Sequence, residues 1–385
     1  MRKQAEAGTM IKTSQIRQAR EFLRRADPIR NGLAQDPIAL YIGAAASKNL
    51  GDILLFDAIK KLLKGVSLIP NCPTGSFKDT RSQIAMRKSI DRLLRFGRRV
   101  DAVVIGGGTL LNDRYFHSLI NFYAAGNDLP VYVVGTGVES IDLYGDNLHQ
   151  VLPVLERSLF TGLRDQTSAQ LISDLGIECQ TIGDPVVLLH QPIARTVKSP
   201  THIGLNVGCD FGKMLAEQER INCIVDALLS SEKYSNCQFE FFCMHPNDVS
   251  VAKQIVRSHP NRRLSVGEVF TGLNDCEQSL SQYDMVISQR LHGVVCATSM
   301  GIPSISLAYR PKCIRYMESV GMTEFVVNLS SEKSTDEFFA MLTSFFNNYA
   351  DVNASLVKNV TQLQDQINLF GAKVSASIRQ QAGFK

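Results

Sequence analysis

The segment Ser288-Gln289-Arg290-Leu291-His292-Gly293 combines residue types that could carry chemistry. It is predicted to join a strand over residues 284–288 to a helix over 293–299, and the positive end of a helix dipole favours an anion. An arginine there can hold a carboxylate or a phosphate through two parallel hydrogen bonds. A histidine titrates near neutral pH and can move a proton. The pattern favours anion binding coupled to proton transfer, and the alternative is a buried histidine with a structural role.

Two further cations follow other predicted strands. Arg164 lies in Gly162-Leu163-Arg164-Asp165 at the end of a buried strand, and Lys312 follows Tyr309-Arg310-Pro311 after another. Because α/β sheets bind ligands at the carboxyl ends of their strands, both side chains are expected at the same cleft as Arg290 and His292. The alternatives are an Arg164–Asp165 pair that only ties loops together, and a solvated surface lysine.

Weaker signals surround this cleft. Asn49-Leu50-Gly51-Asp52 precedes a predicted helix, where Asp52 can cap the helix or backbone N–H groups can bind an anion. Gly106-Gly107-Gly108-Thr109 and Gly135-Thr136-Gly137 fit either tight turns or close backbone approach to a ligand. His245-Pro246-Asn247-Asp248 fits either an acceptor contact or a helix cap. Both interpretations stay open for each segment.

Several catalytic classes lack their motifs in this chain. There is no P-loop, no HExxH, no GxSxG, and no GxGxxG with an acidic residue at the offset of a dinucleotide site. The nine cysteines form no CxxC pair, and neither a metal cluster nor a pair of glycosidase carboxylates stands out. We therefore expect no metal and no cofactor, and a chemistry of anion binding with proton transfer.

Alternating strands and helices must position these residues. Continuous apolar strands separated by helices are typical of a parallel sheet that is covered on both faces. The predicted strands cover residues 38–43, 66–69, 100–105, 131–135, 158–163, 179–182, 202–206, 239–244, 284–288, 304–308 and 325–327. The predicted fold class is α/β, with two Rossmann-like domains facing each other across a cleft.

The domain limits follow from the same pattern. Two prolines and the lack of apolar periodicity mark residues 191–200 as a linker. The other predicted divisions are a basic N-terminal helical extension at 1–36, a first domain at 37–190, a second domain at 201–330, and C-terminal helices at 331–385 that can pack back on the first domain. Basic helices predicted over 14–25 and 82–96 are interpreted as packed or solvated, with contact to anionic lipid as the alternative.

Composition limits the partners and the location. The chain has 385 residues, of which 44% are hydrophobic and 20% charged, and a formal net charge of +4. These values fit a folded protein and give no strong field for nucleic acid. Apolar runs stay short of the ~18 residues that a membrane span needs, and the N-terminus lacks a signal-peptide pattern. With an odd number of cysteines, we expect a cytoplasmic protein, with peripheral contact at the inner face of the membrane as an alternative.

The ordered set of segments over residues 40–325 resembles the polysaccharide pyruvyltransferase family. The specific part is RLHG at residue 290 with the downstream GIP at 301 and Tyr309-x-x-Lys312. The other matching pieces are NLGD at 49, VIGGGT at 104, GTG at 135, LRD at 163, GDP at 183 and HPND at 245. The loop Ala44-Ala45-Ala46-Ser47 is less glycine-rich than the family pattern.

The resemblance implies a fold like that of the GT-B glycosyltransferases. It also implies transfer of pyruvate from phosphoenolpyruvate onto two hydroxyls of a sugar, which makes a cyclic ketal. By resemblance, the donor site and the catalytic groups are drawn from Arg164, Arg290, Leu291, His292, Lys312, Gly107 and Gly108, with His292, Arg290, Arg164 and Lys312 as the catalytic set. The acceptor contacts are assigned to Asn49, Asp52, His245 and Asp248. The acceptor is expected to be a saccharide of a polysaccharide or its precursor, free or linked to a lipid or a nucleotide.

Two other functions stay open from the sequence. One is a GT-B glycosyltransferase that uses a sugar nucleotide, although the second domain shows no clear acidic ligand for a ribose. The other is a non-catalytic protein that binds a sugar or a phosphate. Phosphate release from phosphoenolpyruvate, compared with nucleotide release from sugar nucleotides, separates these functions.

Overall fold

The computed structural model describes residues 36–45, 49–70, 100–112, 120, 129–138, 150–208, 215–331 and 334–384. The basic helices predicted over 14–25 and 82–96 lie outside the described residues. Within the described ranges, no helix is both long enough and apolar enough to cross a bilayer.

The first half of the chain forms a six-stranded parallel sheet in the order β2-β1-β3-β4-β5-β6. Strands β3 and β4 are buried along their whole length, so both faces of the sheet are covered. The strands are β1 (Ile38–Ile42), β2 (Ser67–Pro70), β3 (Ala102–Gly106), β4 (Val131–Thr136), β5 (Ser158–Leu163) and β6 (Gln180–Thr181). The described helices of this half are α1 (Leu50–Leu62), α2 (Leu152–Glu156) and α3 (Gln166–Ser173), followed by a short 3₁₀ helix at Pro185–Leu189.

The second half forms another six-stranded parallel sheet, in the order β12-β11-β10-β7-β8-β9. Its strands are β7 (His202–Asn206), β8 (Gln238–Cys243), β9 (Leu264–Val269), β10 (Met285–Ser288), β11 (Ser304–Ala308) and β12 (Val326–Asn328). The helices are α4 (Leu215–Ser230), α5 (Asp248–Ser258), α6 (Leu273–Leu280), α7 (Leu291–Ser299), α8 (Pro311–Ser319), α9 (Ser334–Asn347) and α10 (Tyr349–Gln381). Two parallel α/β sheets confirm the predicted fold class.

Strand β9 and helices α6 and α8 are among the elements that were not predicted from the sequence. Strand β9 is an edge strand with mostly half-exposed or exposed residues, so its apolar signal is weak. Helix α6 buries only Cys276 and Leu280, which is too few for a clear helical period. Helix α8 starts at Pro311, and a proline that suggests a loop is in fact well suited to the first position of a helix.

The carboxyl edges of the two sheets meet. Strand order reverses between β1 and β3 in the first sheet and between β7 and β10 in the second, which is where doubly wound sheets bind ligands. The amide of Leu50, at the start of α1, donates to the carbonyl of Met244 at the end of β8 over 3.2 Å. Arg315 of α8 donates through Nη1 to the carbonyl of Val138 after β4 over 2.6 Å. The carboxyl ends of the two sheets therefore lie next to each other. We call the boundary between them, marked by the contacts Leu50–Met244 and Arg315–Val138, the seam.

Helix α10 spans both sheets. Its 33 residues correspond to about 50 Å of helix. Near its start, Asn353 donates to the carbonyl of Gly301 in the second half over 2.7 Å. At its middle, Gln364 donates to the carbonyl of His190 over 2.9 Å, beside the segment that joins the halves. Near its end, Ser377 hydrogen-bonds the hydroxyl of Tyr132 in β4 at 2.9 Å. The helix thus fixes the two sheets relative to each other, and the domain limits proposed from the sequence stay a prediction.

The close contact of α10 with α1 gives a testable expectation. A side chain at Gly371 would collide with Leu62, whereas Ala372 next to it is exposed. We expect Gly371→Val to lower stability by about 1–3 kcal/mol through overpacking, measured as a lower thermal midpoint. The matched variant Ala372→Val is expected to leave the midpoint nearly unchanged. Equal midpoints for the two variants would contradict this packing.

Candidate functional site

The structure brings together four of the predicted side chains at the seam between the sheets. Arg164 directly follows β5 in the first half. Arg290 and His292 lie at the start of α7, after β10, and Lys312 lies in the first turn of α8, after β11. The four side chains therefore come from the carboxyl ends of three strands and from both halves of the chain.

His292 lies at the centre of this group, with 12% of its side chain exposed. Burial lowers the pKa of its imidazole from the usual 6.5 to about 4, and the carboxylate of Asp184 opposes this fall. Three cations lower the pKa further, in the order Arg164, Lys312 and Arg290. Among the charged groups that act on the ring, the three cations therefore outnumber the one carboxylate.

Asp184 connects the two halves at this point. It follows β6, is fully buried, and accepts a hydrogen bond through Oδ1 from the amide of Val186 over 3.0 Å. Its other oxygen, Oδ2, lies 3.9 Å from Nη1 of Arg164 and 3.9 Å from Nε2 of His292. Neither Asp184 Oδ2 nor His292 Nε2 has a hydrogen-bond partner among the described residues. Two buried polar atoms thus face each other at a distance slightly too long for a hydrogen bond.

Arg164 is a buried guanidinium with only long ion pairs. Its side chain is 4% exposed and lies 3.9 Å from Asp165 and 3.9 Å from Asp184. The described residues accept no hydrogen bond from its side chain, although a guanidinium carries five donors. A buried cation with this many unused donors is suited to an anionic ligand.

Arg290 has a different environment from the predicted one. Its Nε donates to Oδ2 of Asp248 over 2.7 Å, and its Nη2 donates to Oδ1 of the same carboxylate. Asp248 is fully buried and also accepts from the amide of His245 over 3.1 Å. The sequence assigned Asp248 to the acceptor. In the structure this carboxylate has no exposed surface and occupies the Nε–Nη2 edge of Arg290, which it orients, so its contact with an acceptor stays a prediction.

Helix α8 carries Lys312 towards the seam and is itself tied to the first half. Nζ of Lys312 lies 5.8 Å from the ring centroid of Tyr309. One turn later, Nη1 of Arg315 donates to the carbonyl of Val138 and lies 3.6 Å from Oδ1 of Asp165. Arg315 therefore fixes the distance between Lys312 and the first sheet. The sequence did not single out Arg315, because helix α8 itself was not predicted and the contact with Val138 spans 177 positions of the chain.

Three glycines lie directly against functional side chains. A Cβ at Gly51 would collide with Nδ1 of His292, and one at Gly137 would lie 2.8 Å from Nη2 of Arg164. A Cβ at Gly208 would lie 3.2 Å from Cγ of Arg290. The sequence suggested tight turns at the first two of these glycines, and it did not single out Gly208. The structure shows that the missing side chain makes room for each cation or imidazole.

The predicted acceptor residues lie around the start of α1. Asn49, not Asp52, caps the helix, because its Oδ1 accepts from the amide of Gly51 over 3.2 Å. Asp52 is in the first turn and is partly exposed. His245 directly follows Met244, the residue that receives the hydrogen bond from Leu50. Asn49, Asp52 and His245 therefore lie near one junction, and their role as acceptor contacts is a proposal.

Three of the residues assigned to the donor have mainly structural environments. Leu291 is buried in the core. Gly107 is buried with a φ of 75°, and a Cβ there would lie 2.9 Å from Leu55 of α1. Gly108 is partly exposed, and its carbonyl accepts from the amide of Gly137 over 2.8 Å. Leu291 and Gly107 thus pack against other apolar side chains, and their roles as donor contacts stay a prediction, as does that of Gly108, where a Cβ would meet only Leu110.

The described residues contain no group of three or more His, Cys, Asp or Glu side chains arranged to hold a metal ion. The site is instead defined by three cations, one imidazole and the carboxylates that partly neutralise them. Such an arrangement can bind a small molecule with more than one negative charge and can deliver or accept a proton beside it.

Comparison with known proteins gives a family and a fold. A family model described as polysaccharide pyruvyl transferase matches residues 49–311, which is more than half of the chain. No curated protein matches the chain.

Similar solved structures share the fold at low sequence identity. A Methanocaldococcus jannaschii UDP-GlcNAc 2-epimerase in complex with UDP-GlcNAc and UDP is 13% identical, with a TM-score of 0.54 over 80% of this chain and 92% of its own. A candidate UDP-N-acetylglucosamine 2-epimerase from Listeria monocytogenes is 12% identical, with a TM-score of 0.60 over 89% and 96%. A UDP-glucosyltransferase from Polygonum tinctorium is 11% identical, with a TM-score of 0.54 over 89% and 99%. These likenesses confirm the GT-B-like fold.

The contact between Gly51 and His292 can be tested without knowing the ligand. We expect Gly51→Ala to displace the imidazole and to lower the thermal midpoint, because the added methyl group overlaps the ring. The displaced ring is expected to change the Cε1–H resonance of His292, assigned as the signal lost in His292→Ala. The control is Gly272→Ala, where a Cβ meets no atom within 4 Å. An unshifted His292 resonance in Gly51→Ala would show that the ring does not pack there.

Proposed function

The chain belongs to the polysaccharide pyruvyl transferase family, and from this we propose that it moves pyruvate from phosphoenolpyruvate onto two hydroxyls of a saccharide, forming a cyclic ketal. The single observation that carries the donor assignment is that Arg164 and His292, from different halves of the chain, both lie 3.9 Å from the same buried oxygen of Asp184, with Arg290 and Lys312 at the starts of the neighbouring helices. In phosphoenolpyruvate, the phosphate and the carboxylate are both bonded to the central carbon. The molecule needs cations to bind these two anionic groups and a proton for its methylene carbon.

The cations hold the donor. Arg164 has the unused donors for a planar, bidentate contact with one of its anionic groups, and Lys312 supplies a point charge from α8. Arg290, held by Asp248, adds positive charge at the start of α7. Because Asp248 holds Arg290 before the donor binds, this cation needs little reorganisation when charge develops during the reaction.

His292 moves the proton that starts the reaction. It donates to the methylene carbon of phosphoenolpyruvate, which becomes a methyl group, and the adjacent carbon becomes electrophilic. A first sugar hydroxyl adds to that carbon, the bond from carbon to the phosphate oxygen breaks, and a second hydroxyl closes the ketal. Of the two protons lost by the hydroxyls, one replaces the proton given by His292 and the other leaves with phosphate.

The acceptor assignment rests on position. Asn49, Asp52 and His245 lie at the junction where α1 meets the end of β8, on the seam that also holds the donor residues. We propose that this junction receives the saccharide, as part of a polysaccharide or of a precursor linked to a lipid or a nucleotide. The seven described cysteines are all free, which supports a reducing, cytoplasmic setting.

One experiment tests the donor and the product together. The protein is incubated with phosphoenolpyruvate and a panel of saccharides that includes lipid-linked and nucleotide-linked forms, and products are read by mass. We expect a pyruvate ketal on an acceptor together with an equal amount of phosphate. Nucleotide release from a UDP-sugar without any ketal would instead favour a glycosyltransferase, and donor binding without turnover would favour a binding protein.

His292 is expected to act in turnover more than in donor binding. We expect His292→Ala to retain binding of phosphoenolpyruvate and to lose turnover by about 10²-fold or more, since it removes an acid–base group. Single-turnover rates and binding isotherms measure the two effects separately. The control is His259→Ala, because His259 pairs with Asp226 at the far end of α5. A near-normal rate in His292→Ala would remove this residue from the chemistry.

A further inference from the structure

We propose that Asp184 is a positioning residue that, together with the bound donor, loads a proton onto His292, so that the catalytic acid forms only when the anion is in place. This inference rests on the proposed function and assigns a role to a residue that the donor and acceptor sets do not include. The bound donor therefore helps to form the acid that starts its own reaction.

Asp184 belongs to the first half of the chain and His292 to the second, so their contact crosses the seam. Oδ2 of Asp184 and Nε2 of His292 are 3.9 Å apart, and both atoms lack a hydrogen-bond partner among the described residues. A hydrogen bond needs about 2.7–3.2 Å, so an approach of roughly 1 Å makes the pair. A carboxylate whose other oxygen is held by Val186 is already oriented for this contact.

The charge of the His292 imidazole before the donor binds limits its chemistry. The pKa of His292 is about 4 in the structure, so the imidazole is neutral near pH 7. A neutral imidazole with this low pKa is a poor source of a proton for a methylene carbon at neutral pH. Binding must therefore change the environment of the ring before it can act as an acid.

Charged groups from several elements face His292. The groups that lower its pKa come from β5, from α7 itself and from α8, and they are Arg164, Arg290 and Lys312. The backbone of Gly51 in α1 packs on the ring and brings no charge. Among the described residues that act on the ring, Asp184 alone raises its pKa. A bound phosphate and carboxylate offset the three cations, and Asp184 then favours the imidazolium without opposition.

The other carboxylates of the seam are engaged differently. Asp165 accepts from the amide and the hydroxyl of Ser168 over 2.8 Å each, and so caps α3. Asp248 directs both oxygens at Arg290. Asp165 also has an oxygen without a hydrogen-bond partner, Oδ2, but this atom lies 3.9 Å from Nε of Arg164, so Asp184 is the carboxylate that faces the imidazole.

Proton uptake on binding tests the inference without turnover. Titrations with phosphoenolpyruvate near pH 7, in buffers of different ionisation enthalpy, report the number of protons taken up. We expect about one proton for the unmodified protein, because the pKa of one group moves from below the working pH to above it. We expect no uptake at this site in His292→Ala and a loss of at least half of the uptake in Asp184→Asn, with donor affinity retained or increased. The control Asp226→Asn alters a carboxylate 3.1 Å from His259 and is expected to keep the full uptake.

Kinetics give a second readout that a purely structural role would not produce. We expect Asp184→Asn to lower kcat with an unchanged or lower KM for the donor, and to shift the alkaline limb of the kcat–pH profile to lower pH. In a His292→Ala background, Asp184→Asn is expected to cause no further loss, because the residue acts through the histidine. An additive loss in the double variant would overturn the proposal.

The outcomes separate this inference from the proposed function. Donor binding by the unmodified protein without proton uptake overturns the role of Asp184 and leaves the transferase proposal intact. Failure to bind phosphoenolpyruvate at all contradicts the proposed function itself. Should Asp184→Asn fold poorly, the imidazole resonance of His292 in the unmodified protein decides: it must move to the imidazolium position on saturation with the donor, and an unmoved resonance overturns the inference.

Discussion

Holding Arg164, Arg290 and Lys312 close to a buried imidazole costs free energy, because like charges repel and a poorly solvated site screens them weakly. The chain offsets part of this cost with buried carboxylates. Asp248 neutralises Arg290 through two close hydrogen bonds, whereas Asp165 and Asp184 lie 3.9 Å from Arg164. Arg290 is thus closely paired with a carboxylate, whereas Arg164 is only loosely paired. Arg164 therefore keeps hydrogen-bond donors that the described residues do not use, and an anionic donor can use them.

Close approach between the halves is the second requirement of the site. Side chains from two sheets can surround one small molecule only if the backbones beneath them come near. Glycine at 51, 137 and 208 permits this, since each would otherwise place a Cβ against His292, Arg164 or Arg290. The site therefore depends on glycine at these three positions as much as on its charged side chains.

Much of the architecture could be predicted because its signals are local. Buried parallel strands are continuous apolar runs, and β3, β4, β7, β10 and β11 all lie within one or two residues of their predicted limits. Charged residues directly after such strands indicated Arg164, Arg290, His292 and Lys312. Pairings across the seam carry no such signal. Asp248 was assigned to the acceptor because nothing in the sequence places it beside Arg290, 42 residues away. The contacts of Arg315 with Val138, and of Asp184 with His292, are equally invisible before the two sheets are brought together.

Helix α10 has a consequence for how the chain acquires its structure. The hydroxyl of Tyr132 in the first sheet is bonded to Ser377, 245 positions later. Phe370 also covers Gly162 of β5, and Leu363 covers Gly183, which follows β6. During synthesis the first sheet is complete long before the helix that covers it exists. That face of the sheet therefore stays uncovered until helix α10 has been synthesised. Earlier domains usually fold first, but the first sheet here cannot complete its packing before the second half of the chain exists.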